Sequence, residues 1–213
     1  MKITWLDNLR VNATIGVILI HASATILFRF TSVPADYWWI ANLYNGGYRY
    51  VVPIFVMLSG ALLLPREEAI GPFLMKSFRR IVMPFFFYNL IFSVFNWQVR
   101  LRGKAFGFTD GLTWLGEQYF NGASYHFWYI YMIIGIYLFI PIIGRWIRSA
   151  PEAHIQYFLG IWGLTILFNN PHFPYLKLPI ALTDFTGYVG YLVLGYYLST
   201  KEFSSGIKGK ALA

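Results

Sequence analysis

The chain has 213 residues, 57% of them hydrophobic and 12% charged, with a net charge of +8 and no cysteine. A soluble domain carries about twice that charged fraction, so the composition excludes an ordinary soluble fold and indicates a polytopic α-helical membrane protein. The absence of thiols excludes disulfides, cysteine metal sites, palmitoylation and a thioester-linked acyl-enzyme.

Six apolar runs read as membrane helices in chain order. Val11–Phe28 has no ionisable side chain except His21 across 18 residues, long enough for a span. Tyr50–Leu64 is shorter, with aromatic residues upstream, and is ended by "PREE". Ile81–Val99 carries Pro84 near its start, where a missing backbone donor is tolerated. Phe127–Ile143 is rich in aromatics, Ile155–Phe168 is short, and Phe185–Ser199 is rich in glycine and tyrosine. Between the third and fourth runs, Leu112, Leu115, Tyr119 and Phe120 have amphipathic spacing and predict a segment that lies along the interface or re-enters. A transmembrane barrel fits these unbroken runs poorly, because its strands alternate polar and apolar residues. The expected architecture is an all-α transmembrane bundle of about six spans. Residues 1–200 form one membrane-embedded domain, and 201–213 a cytoplasmic tail or a truncation point.

Lysines and arginines set the orientation. With the N-terminus in the cytoplasm, Lys2, Arg10, Arg66, Lys76, Arg79, Arg80, Arg145, Arg148, Lys201, Lys208 and Lys210 lie inside. Arg29, Arg49, Arg100, Arg102, Lys104 and Lys177 then lie outside, with "RLRGK" after the third span the main exception to the rule. Basic residues placed in short clusters between apolar runs mark membrane edges, which argues against nucleic acid as a partner.

The chemistry concentrates on the first helix. Arg10 and His21 are 11 positions apart, so on an α-helix they fall within about 20° of each other and about 16 Å apart along the axis. Asp7 and Thr14 lie near the same stripe. Ionisable groups at such depth face protein or water rather than lipid. In one reading Asp7 and Arg10 pair as an interfacial anchor and His21 hydrogen-bonds a neighbouring helix. In the other, a neutral His21 imidazole acts as general base toward an alcohol, and Arg10 holds a phosphate at the cytoplasmic rim. That second reading is transfer of a group from a phosphate-bearing donor to a hydroxyl.

Lys76, Arg79 and Arg80 precede the third span as a membrane anchor or a polyphosphate clamp. Lys76 and Arg80, four residues apart, share a helix face, whereas Arg79 and Arg80 diverge by about 100°. Ser59-Gly60 is a small pair suited to close helix approach; Ser59 as nucleophile lacks a nearby acid or base in sequence. His126 sits at the outer mouth of the fourth span in "YHFWYIY", where an aromatic girdle is the plainer reading. No histidine pair has metal-ligand spacing, and neither a phosphate-binding glycine loop nor a G-x-S-x-G elbow is present. The H-x4-D acyltransferase signature is missing too, since Ile26 and Tyr131 stand five residues after His21 and His126.

Four stretches, in order over roughly residues 5–143, resemble the membrane acyltransferase-3 family, which acylates hydroxyls of cell-surface glycans. They are "WLDNLRVNATIGVILIH", "VPIFVMLSGALL", "FLMKSFRRIVMPFFFY" and "HFWYIYMIIGIYLFIPII". The first and the short loops are most similar to the enterobacterial common antigen O-acetyltransferase branch. The resemblance implies an acyl-CoA donor, usually acetyl-CoA, entering from the cytoplasm, with no bound cofactor or metal. It implies a multi-pass protein of the bacterial inner membrane and a surface polysaccharide or lipid-linked saccharide as acceptor. His21 is then the essential imidazole, Arg10 and Arg80 contact the donor's phosphates, and Asp7, Ser59, His126 and Trp128 take supporting places. Alignment on Pro84 puts Ser77 where the family often has the first arginine of an Arg-x-x-Arg pair, so Lys76 or Arg79 substitutes. Family members usually have about ten spans, which makes this chain an expected truncated core. The alternative from the residues alone is a carrier or channel fragment with a polar Asp7–Arg10–His21 path. A structural membrane subunit would explain the hydrophobicity but not that shared face.

Overall fold

The computed structural model describes residues 4–100, 107–168 and 187–201, and every regular element among them is helical. They divide into two units, one within Met1–Arg66 and Gly144–Ala213, the other Glu67–Ile143. Four helical stretches are long and apolar enough to cross a membrane: Thr4–Leu27, Ala35–Leu63, Ile70–Val99 and Tyr125–Ser149. The all-α polytopic class read from the sequence holds.

In the first unit, α1 (Thr4–Leu27) buries a face of small residues, Ala13, Gly16, Ser23 and Ala24, together with Leu6. Small side chains let a second backbone come close, and α2 (Ala35–Gly47) and α3 (Val51–Leu63) both pack along α1. The hairpin is antiparallel: Trp38 Nε1 donates to the Leu27 carbonyl and Asn45 Nδ2 to that of Ile20. Gly16 faces Tyr48 and Val51. Pro34 precedes α2, and Pro53 lies in the first turn of α3, where no intrahelical donor is required.

This corrects the second span. The second span, expected over Tyr50–Leu64, starts earlier: residues 35–47 are helical and join α3 in one apolar stretch. Arg49 is the central residue of that stretch. It lies in the short turn between α2 and α3, next to the Tyr48 that meets Gly16 halfway along α1.

Glycines set the rest of this unit. Across α3 and α9 (Val189–Thr200), a Cβ on Gly60 would overlap the Leu192 carbonyl, and one on Gly195 the Met57 carbonyl. Gly190 lies against the Trp162 ring of α8 (Glu152–Phe168). Arg148, near the end of α7 (Trp128–Ser149), closes the other end of α3: Nη1 donates to the carbonyls of Leu64 and Arg66, each at 2.8 Å. A cation there meets the orphan carbonyls and the negative end of the helix dipole.

In the second unit, α4 (Ile70–Ser77) passes through a wide π turn, Phe78–Val82, into α5 (Met83–Arg100). Pro84 lacks an amide donor and its ring crowds the carbonyl four residues back, at Arg80; opening the turn relieves that clash. The amphipathic segment proves to be helix α6 (Phe108–Asn121), started by the Gly107 amide donating to Asp110 Oδ2 at 3.0 Å and ended by Gly122 at φ +82°. That left-handed value favours glycine. A single turn, Tyr125–Phe127, then leads into α7.

Candidate active site

On α1, Arg10 Nη1 lies 3.1 Å from Asp7 Oδ1, and both side chains are about half exposed. Thr14 Oγ1 donates to the Arg10 carbonyl at 2.8 Å. His21 is half-buried, at the flank of the face that packs on α2 and α3. Val11, Ile15 and Ile18, all exposed, occupy the far side of the helix. The polar stripe therefore separates a packed face from an apolar outer one. The interfacial Asp7–Arg10 pair is present in this geometry, and Asp7 takes one guanidinium nitrogen while the Arg10 side chain stays about half exposed.

Two residues missed by the sequence reading stand beside that stripe. Asn45, 6% exposed, donates from Nδ2 to the Ile20 carbonyl at 3.3 Å, and its Oδ1 accepts from Arg49 Nε at 3.4 Å and Nη2 at 3.2 Å. The signal that finds them is a single basic side chain at the centre of the 29-residue stretch Ala35–Leu63. Ser59 is occupied by packing: its Oγ donates to the Phe55 carbonyl at 3.0 Å, beside the Gly60 crossing.

In the second unit, Lys76 pairs with Glu68 at 3.5 Å. Arg79 and Arg80 are exposed on the π turn, so the simple four-residue register expected between Lys76 and Arg80 is broken there. Beside this turn runs an apolar groove of about 360 Å³, lined by Leu74, Phe78, Ile81, Tyr137 and Leu138 among others. His126 Nδ1 lies 2.9 Å from Ser124 Oγ, with its ring edge-on to Phe92 and Phe127. The segment before it is clamped: Asn89 Oδ1 accepts from the Ala123 amide at 2.9 Å and Asn96 Nδ2 donates to the Ala123 carbonyl at 2.6 Å. Trp128, the first residue of α7, is exposed and meets Tyr129 edge-on.

Among the other carboxylates, Asp110 is used by the α6 cap and Asp36 lies in the first turn of α2. Asp184 and the 202–213 tail lie outside the described residues, as do Lys2, Arg102, Lys104 and Lys177. Among the described residues, no group of three His, Cys, Asp or Glu side chains can hold a metal.

A family model described as an acyltransferase domain matches residues 3–212, nearly the whole length and across both units. The chain belongs to the acyltransferase-3 family. It is a membrane acyltransferase. No curated protein and no solved structure matches it. In this acyltransferase, α1 carries Arg10 and His21 on one helix face.

Proposed function

We propose that the acyltransferase is an O-acetyltransferase of the enterobacterial common antigen type. It takes acetyl from acetyl-CoA on the cytoplasmic side of the bacterial inner membrane and passes it to a hydroxyl of a surface polysaccharide or lipid-linked saccharide. The observation that carries this reading is the shared face of Arg10 and His21 in a chain of this family. Their separation of about 16 Å along α1 suits a donor whose phosphates and reactive thioester lie at opposite ends of a long pantetheine arm. Arg10 binds the phosphates near the N-terminal, cytoplasmic end. His21 removes the proton from the acceptor hydroxyl as its oxygen attacks the thioester carbon.

Membranes carrying the full chain, incubated with acetyl-labelled CoA, should transfer label to saccharide. Label that stays in CoA while a solute crosses the membrane would overturn the reading in favour of a carrier.

A further inference from the structure

Arg49 occupies a place that neither helix packing nor the residues already assigned explains. It is the central residue of the apolar stretch Ala35–Leu63, so a bilayer crossed by that stretch puts its charge near the midplane, where ionisable groups are costly and mark functional sites. Basic side chains in spans usually reach for the nearer interface. Arg49 instead turns back one helical turn to Asn45, as helical side chains lean toward the N-terminus. Both ends of the Asn45 amide are committed, Oδ1 to the guanidinium and Nδ2 to the Ile20 carbonyl. Laid end to end, these bonds keep Arg49 within about 9 Å of the peptide oxygen that joins Ile20 to His21. The guanidinium has five N–H donors and Asn45 engages two of them, while the residue as a whole is exposed.

We propose that Arg49 is a catalytic residue of the α1 site: its guanidinium binds the acyl carbonyl oxygen and the negative charge that develops there. This rests on the acyl-transfer reading above. The acceptor oxygen bonds to the acyl carbon as His21 takes the hydroxyl proton, and the resulting oxyanion lies against Arg49. The carbon–sulfur bond then breaks, the carbonyl re-forms, and the proton on His21 passes to the departing coenzyme thiolate. A cation held in place before the reaction stabilises such charge without reorganising. Asn45 is the positioning residue, holding Arg49 at the height of His21.

The cysteine-free sequence makes water access measurable at single positions. In membranes carrying the full chain, Arg49→Cys should react with a water-soluble charged thiosulfonate, acetyl-CoA should slow that reaction, and Ile18→Cys on the apolar side should stay unlabelled. Arg49→Gln should lower kcat for acetyl transfer about 100-fold with little change in the donor KM. Arg49→Lys should restore part of the loss, because it keeps the charge without the planar fork. Asn45→Ala should lower kcat by itself yet add nothing to Arg49→Gln. A merely structural Arg49 would lower the amount of folded protein and leave kcat per molecule unchanged. An unreactive Arg49→Cys, labelling indifferent to donor, or an unchanged kcat in Arg49→Gln overturns the proposal. A parent chain that transfers no acetyl overturns the acyl-transfer reading instead.

Discussion

Gly60→Ala tests the contact that joins α3 to α9. The added Cβ would overlap the Leu192 carbonyl oxygen and stand 3.1 Å from the Leu192 Cα. These are backbone atoms, so no side chain can swing aside, and the two helices must separate. Separation also loosens the reciprocal contact of Gly195 with the Met57 carbonyl. Overpacking a tight contact costs about 1–3 kcal/mol, and a backbone-to-backbone clash belongs at the upper end, about 3 kcal/mol. The matched control is Gly163→Ala in α8, where a Cβ meets nothing within 4 Å. There alanine should stabilise by about 0.5–1 kcal/mol, because glycine loses more backbone freedom in a helix. At this chain length each kcal/mol moves Tm by about 2–4 °C, so Gly60→Ala should lower Tm by on the order of 6–12 °C. Gly163→Ala should raise it slightly. Heating detergent-solubilised protein and measuring the monodisperse fraction by fluorescence-detected size exclusion reads both. A Gly60→Ala variant at or above the parent Tm would refute the reasoning.

Two further outcomes follow from the ends of the helices. Arg148→Ala removes two charge-assisted bonds to the carbonyls of Leu64 and Arg66; allowing for exposure, it should cost about 1–2 kcal/mol in the same thermal assay, while acetyl transfer per folded molecule stays unchanged. Glu152 accepts hydrogen bonds from Lys201 and Tyr197, which hold its carboxyl below the usual range, and the bonds that Lys201 donates to Glu152 and Tyr197 hold its amine above its usual range. The network's stabilisation is therefore present above the carboxyl's ordinary pKa and lost as pH falls through its lowered one. On the alkaline side it is complete below the amine's ordinary pKa and lost as pH rises through the raised one. Melting curves of the parent and Glu152→Gln should converge at acid pH and separate near neutrality; a separation that persists in acid would contradict the assignment.

The long apolar runs made α1, α5 and α7 legible, and the 3.6-residue period put Arg10 and His21 on one stripe before any packing was known. The helix in "ADYWWIANLYNGGYRY" was hidden because asparagines, paired glycines and Arg49 dilute its hydropathy. What makes it a helix against α1 is non-local: Asn45 meets Ile20 from 25 positions away, and Tyr48 meets Gly16. Arg148 shows the same limit more sharply. In the sequence it is one more basic residue at a membrane edge, whereas its partner carbonyls are 84 and 82 positions distant. The π turn had a local signal, Pro84 four residues after Arg80, but that proline reads equally well as a simple helix start.

The most direct test of the central claim is acetyl transfer by His21→Ala. With the variant at parental abundance in the membrane and labelled acetyl-CoA supplied in excess, label in saccharide should fall to background, as the proposed general-base role of His21 requires. Label incorporated at the parental rate would show that the α1 stripe is not where the acyl group is transferred.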